Sequence, residues 1–135
     1  MTNSSSSHPA PGPVEIRPGV LCRQWYLYRS KVIDSDGSYF DFRLAYVSVY
    51  NPERGVNYWE IDIISLPSYR GRNTSAATIH TLPSDRGGRK ICVAEGHEPR
   101  SEWAAKKLSM AWCDLQAEYI KTGVTPDQQI ARNHR

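Results

Sequence analysis

The chain has 135 residues, of which 39% are hydrophobic and 23% are charged, and its formal net charge is +3. This length and composition predict one globular domain. They exclude a chain that is disordered throughout or that crosses a membrane as a helix, because no run approaches the roughly 18 apolar residues that a span requires.

Cysteine usage indicates a reducing compartment. The three cysteines, Cys22, Cys92 and Cys113, are odd in number and widely spaced, which argues against a disulfide framework. No Cys-x-x-Cys pair is present, so no structural zinc site or other metal site is expected. Residues 1–13 also lack the basic and apolar segments of a secretion signal. We therefore expect a cytoplasmic protein.

Composition along the chain predicts one folded domain between two short end segments. Residues 1–13 are rich in Ser and Pro and offer no side chains for a hydrophobic core, so we expect a disordered leader. A single α+β domain is predicted over residues 14–123. Residues 124–135 are predicted to form a short terminal helix and tail.

Alternating apolar and polar residues predict five strands joined by short turns. The first is a long strand with mixed faces, in which we expect a bulge that swaps the two faces. Asp36 and Gly37 supply a hairpin turn after it. Because short turns join consecutive strands, the sheet is expected to be an antiparallel meander. The predicted strands cover residues 21–33, 39–50, 58–66, 78–82 and 89–94.

The apolar period changes to 3.6 residues after the last strand, which predicts a long helix. Ser101 is the predicted N-cap and Gly123 the residue just after the C-terminus. A short second helix is predicted from Pro126 to about Asn133. One apolar stripe is expected to cover the sheet, and it contains Ala104, Leu108, Ala111, Trp112, Leu115 and Tyr119.

These elements predict the α+β fold class. We expect an antiparallel sheet of about five strands packed on one long C-terminal helix, with a short terminal helix after it. Four large aromatic side chains are expected to stabilise the core, namely Trp25, Trp59, Trp103 and Trp112.

Two loops hold most of the excess positive charge. Six basic and three acidic residues fall between residues 66 and 100, and five of the basic ones lie in Gly-containing loops. Arg binds phosphate with paired hydrogen bonds, and Gly lets the backbone approach it. Tyrosines on the expected exposed side of the sheet would stack on bases or anchor another protein. The candidate binding residues are Arg70, Arg72, Arg86, Arg89, Lys90, Tyr26, Tyr28, Tyr46 and Tyr58.

An enzymatic site is a separate hypothesis. His97 and Glu98 lie just before the long helix, where a loop-borne His and Glu can perform acid–base catalysis. Cys92 lies five residues upstream and would allow a Cys–His pair. Against this, five extended residues span more than about 10 Å, and a His and Glu beside a helix N-terminus are ordinary capping neighbours. No common catalytic or cofactor motif is present, so no cofactor is expected.

The sequence favours a small non-enzymatic binding protein. We expect an accessory or inhibitory factor that contacts another protein, or a second copy of itself, through its sheet face and basic loops. Two alternatives stay open: single-stranded nucleic-acid binding through the same tyrosines and loops, and a small enzyme that uses His97 and Glu98. The net charge of +3 is low for a dedicated nucleic-acid binder.

Overall fold

The computed structural model describes residues 7–9, 14–17, 20–22 and 25–133. It contains eight strands and three helices in these ranges. In chain order they are β1 (Ser7–Pro9), β2 (Val14–Arg17), β3 (Val20–Cys22), β4 (Tyr26–Ile33), β5 (Tyr39–Asn51), β6 (Val56–Ser65), α1 (Ala76–Ile79), β7 (Thr81–Pro83), β8 (Arg89–Ile91), α2 (Glu102–Thr122) and α3 (Pro126–Asn133). Among the described residues, no helix has the length and apolar character needed to cross a membrane.

The predicted α+β class is confirmed, with one correction to the strand order. Six strands form one antiparallel sheet in the order β1-β4-β5-β6-β8-β7, and β2 pairs with β3 in a separate two-stranded sheet. The last hairpin therefore docks through β8, where Lys90 lies opposite Asp62, and β7 lies at the edge. Pro83 in β7 cannot donate a ladder hydrogen bond, which suits an edge strand.

The first predicted strand and the leader differ from the structure in detail. In the leader, Ser7–Pro9 pairs with β4, and residues 1–6 and 10–13 lie outside the described residues. The predicted strand 21–33 is covered by β3 and β4, and residues 23 and 24 between them are not described. The β4–β5 register shifts between Arg29 and Ile33. The expected swap of faces does not occur, since side chains alternate unchanged through the shift.

The predicted strand over residues 78–82 is wrong in its first half. The one-turn helix α1 occupies Ala76–Ile79, and His80 ends it in the left-handed conformation with φ 60°. The β-branched residues here favour a strand, but contacts with α2 override that preference. The carbonyl of Ile79 accepts hydrogen bonds from Trp112 Nε1 at 3.0 Å and Gln116 Nε2 at 3.1 Å.

Helix α2 begins and ends where the sequence predicts. The Ser101 side chain accepts a hydrogen bond from the Ala104 N–H, and Gly123 follows the last turn with φ 82°. Its buried face, however, matches the predicted stripe only at Trp112 and Tyr119. Ala111 is exposed and its stripe neighbours Leu108 and Leu115 are only half-buried. The buried positions are Ala105, Ser109, Trp112, Cys113, Gln116, Ala117, Tyr119 and Ile120.

Two buried polar residues explain why the buried face of α2 differs from the predicted stripe. Ser109 lies 2.6 Å from the Tyr46 hydroxyl and donates to a backbone carbonyl of its own helix. Gln116 accepts a hydrogen bond from the Tyr69 hydroxyl at 2.6 Å. Buried polar groups are tolerated when they are hydrogen-bonded, so α2 turns these residues inward. The expectation that Trp103 belongs to the core is wrong, because 69% of it is exposed.

Replacement of Gly123 by alanine is expected to lower the free energy of unfolding by about 1–2 kcal/mol. Its φ of 82° is unfavourable for residues with a Cβ, and an added Cβ would lie 2.7 Å from Arg72 Nη1. Gly37→Ala is the control, since φ is 87° there and no atom lies within 4 Å of the added Cβ. In urea unfolding, Gly123→Ala should destabilise more than Gly37→Ala. Equal losses would contradict the contribution from Arg72.

Candidate functional site

The sheet tyrosines lie mainly under the helix. Tyr28 is 1% exposed, and its hydroxyl donates to the Asp114 carboxylate of α2 at 3.0 Å. Tyr46 bonds to Ser109 on the same helix, and burial raises its pKa to about 12. Lys106 Nζ lies 4.3 Å from the ring centroid of Tyr26. The prediction that these tyrosines form an open stacking surface is therefore wrong for Tyr28 and Tyr46.

The physical reason is that α2 offers polar partners to the tyrosine hydroxyls. A Tyr ring packs like any large apolar group once its O–H finds a hydrogen bond. Burial, followed by the nearby Asp114 carboxylate, raises the pKa of Tyr28. Tyr58 lies on the opposite side of the sheet, with its hydroxyl 3.4 Å from Glu60 Oε2.

Three of the candidate arginines have partners within the protein. Arg70 forms an ion pair with Asp34, and its hydrogen bond is the main reason that the pKa of Asp34 lies below its ordinary value. Arg72 Nε donates to the Ile120 carbonyl at 3.0 Å. Arg89 Nε donates to Thr81 Oγ1 at 2.7 Å. These loop side chains therefore stabilise the fold through contacts within the protein. Those contacts use part of the hydrogen-bonding capacity that phosphate binding would need.

The other two basic candidates form a charge network with β6. Arg86 Nε lies 2.6 Å from Asp62 Oδ2, and Arg86 Nη2 lies 2.7 Å from Glu60 Oε1. Lys90 Nζ lies 2.7 Å from Glu60 Oε2. Ser84 Oγ adds a hydrogen bond to Asp62 at 2.8 Å. We call Glu60, Asp62, Arg86 and Lys90 the β6 charge network.

The network is shielded from water and internally neutral. The side chains of Glu60 and Asp62 are 11% and 6% exposed. Burial acts to raise the pKa of Glu60, but hydrogen bonds from Lys90 and Arg86 outweigh it and hold that pKa below its ordinary value. Two cations and two carboxylates cancel, so the network adds little to the positive potential that would attract a polyanion.

The opposite side of the sheet from α2 carries exposed aromatic and charged residues. Arg29 Nε lies 3.2 Å from Asp41 Oδ1, with both side chains about 40% exposed. The Arg29 guanidinium lies 5.8 Å from the ring centroid of Tyr39, which is 41% exposed. Ile33 lies opposite Tyr39 in the register and is also exposed. We call Arg29, Ile33, Tyr39, Asp41 and Arg43 the outer sheet face.

The residues of the enzyme hypothesis are not brought together. His97 is exposed in a turn, and its N–H donates to the Ala94 carbonyl. Glu98 Oε1 accepts a hydrogen bond from the Gly96 N–H. Within residues 25–133, no hydrogen bond connects His97, Glu98 and Cys92. The same range contains no group of three or more His, Cys, Asp or Glu residues that could hold a metal ion.

Cys92 instead lines an apolar groove of about 330 Å³ between α2, α3 and the end of β8. His80 also lines the groove, with its Nε2 2.8 Å from Asp127 Oδ1. The apolar walls are formed by Ile91, Val93, Ala94, Leu108, Ala111, Trp112, Leu115, Pro126 and Ile130. The helical apolar stripe is the sequence signal for this groove, since its members Leu108, Ala111 and Leu115 line it.

Comparison of the chain with protein-family models, with curated proteins and with solved structures finds no match. Function is therefore inferred from the geometry of these surfaces.

Proposed function

We propose that this chain is a small binding protein, an accessory or inhibitory factor, that holds another protein through its outer sheet face. The observation that carries the proposal is the exposed cluster of Tyr39, Ile33 and Arg29. Exposed Tyr and Arg side chains are typical anchors of protein interfaces. The neighbouring Asp41 adds a carboxylate that favours one orientation of a partner over another.

The state of the basic side chains favours a protein partner over a nucleic acid. Binding to a phosphate backbone relies on Lys and Arg side chains that can exchange counterions for phosphates. Arg70 and Arg86 are held by carboxylates of this chain, and so is Lys90. Tyr28 and Tyr46, which would stack on bases in the nucleic-acid alternative, pack against α2 and form hydrogen bonds with its side chains.

The test is affinity capture from the native host, with nuclease treatment and mass spectrometry. Tyr39→Ser is expected to reduce capture of the specific partner about fivefold or more, because truncation of an interface anchor removes about 1 kcal/mol or more. Tyr50→Ser is the matched control, since Tyr50 is an exposed tyrosine of the same strand and is 60% exposed. It lies at the far end of β5 and should leave capture unchanged.

Two results would overturn the proposal. One is equal capture by wild type, Tyr39→Ser and Tyr50→Ser. The other is capture that disappears on nuclease treatment and falls with Arg89→Ala, because it would support the single-stranded nucleic-acid alternative.

A further inference from the structure

Helix α2 carries an apolar stripe that the core of this chain leaves partly uncovered. Ala104, Leu108 and Leu115 are half-buried, and Ala111 is exposed. Their spacing of 4, 3 and 4 residues is the spacing of a helix-pairing seam. The true core side of the helix lies beside this stripe, through Ser109 and its buried neighbours. The apolar surface of α2 is thus wider than the part that packs in the core of this chain.

Charged residues stand next to this stripe in a self-complementary arrangement. Lys107 precedes Ala111 by four residues and Glu118 follows it by seven, which places all three on one side of the helix. Within residues 25–133, neither Lys107 nor Glu118 takes part in an ion pair. Lys107 Nζ lies 4.6 Å from the ring centroid of the exposed Trp103.

We propose that two copies of this chain associate by antiparallel packing of their α2 helices, with a two-fold axis near Ala111. A two-fold axis places residues before the axis opposite residues after it. With the axis between Ala111 and Trp112, Leu108 faces Leu115 of the partner subunit. The midpoint of Lys107 and Glu118 lies one residue beyond that axis, and the long Lys107 side chain reaches Glu118 of the partner subunit. The small Ala111 lets the helix axes approach closely at the centre.

The apolar groove extends this surface toward α3. Leu108, Ala111 and Leu115 form one wall of the groove, and the 41% exposed Ile130 lies at the other. Apolar side chains of a second copy can therefore become buried in the groove as well as along the stripe. Because α2 covers the inner side of the sheet, this association leaves the outer sheet face free and goes beyond the proposed function.

The test is a charge-reversal series measured by analytical ultracentrifugation under reducing conditions. Wild type is expected to form a dimer at micromolar concentration. Lys107→Glu and Glu118→Lys should each weaken the dimer at least about tenfold, because each places like charges across the interface twice. An equal mixture of the two variants should restore dimers, since the reversed charges then complement each other. Circular dichroism checks that each variant folds.

Arg54→Glu is the matched control, because Arg54 is an exposed basic residue in the turn between β5 and β6 and does not lie on α2. It should leave the dimer unchanged. A wild type that stays monomeric at all concentrations would overturn the proposal, and so would a dimer that both single variants retain. Failure of the mixture to form dimers would also overturn it. None of these results depends on partner capture through Tyr39, so the two proposals can fail separately.

Discussion

Replacement of Trp112 by alanine is expected to lower the free energy of unfolding by about 3–5 kcal/mol. Trp112 is 5% exposed and packs edge-on against Phe42, with ring centroids 6.2 Å apart. Its indole N–H also donates to the Ile79 carbonyl, which ends α1. The substitution removes a large buried apolar surface and weakens the contact between α1 and α2.

Trp103→Ala is the matched control, since Trp103 lies on the same helix and differs mainly in burial. It is 69% exposed, and its loss should change stability by no more than about 0.5 kcal/mol. Urea unfolding followed by circular dichroism measures both values. If Trp112→Ala fails to fold, Trp112→Phe provides a milder truncation that should still destabilise more than Trp103→Ala. Similar effects at both positions would contradict the orientation of α2.

Replacement of Arg86 by methionine is expected to destabilise the protein by about 3 kcal/mol at neutral pH. The substitution leaves the shielded carboxylates of Glu60 and Asp62 with one cation, Lys90. A buried carboxylate without its partner is costly because water cannot solvate it. The value is near the lower end for a buried pair, because the Arg86 side chain is 31% exposed. Chemical unfolding measures the loss.

Arg29→Met is the matched control for the β6 charge network. Arg29 also pairs with an aspartate, but both side chains are about 40% exposed. Exposed ion pairs contribute about 0–1 kcal/mol, so this variant should be nearly neutral. A loss equal to that of Arg86→Met would contradict the distinction between the two pairs.

The cost of Arg86→Met is also expected to depend on pH. The folded-state pKa of Glu60 is held below its ordinary value of 4.5. Its ion pairs therefore stabilise the fold above that value, and this stabilisation is lost as the pH falls through the folded-state pKa. The stability difference between wild type and Arg86→Met should narrow below about pH 4.5. A difference that stays constant from neutral to acid pH would contradict the role given to Glu60.

The fold class and the ends of the principal helices follow from local patterns in the sequence. Period-two patterning identified β5 and β6, and the change to period 3.6 identified α2. Ser101 and Gly123 marked its ends because capping and left-handed termination depend on residues close in the chain. These features are encoded locally, so one sequence is enough to find them. Partner identity and oligomeric state are not encoded in this way.

Which side of each element is buried depends on tertiary contacts. Helical spacing puts Trp103 and Trp112 on opposite sides of α2, but the inward orientation of Ser109 and Gln116 decides that the first is exposed and the second buried. Tyr28 became a core residue because Asp114, 86 positions away, accepts its hydroxyl hydrogen bond. Arg86 lost its apparent freedom to bind phosphate because β8 docks beside β6 and brings it to Asp62. Burial and charge pairing depend on contacts between residues far apart in the chain, and local patterns do not carry that information.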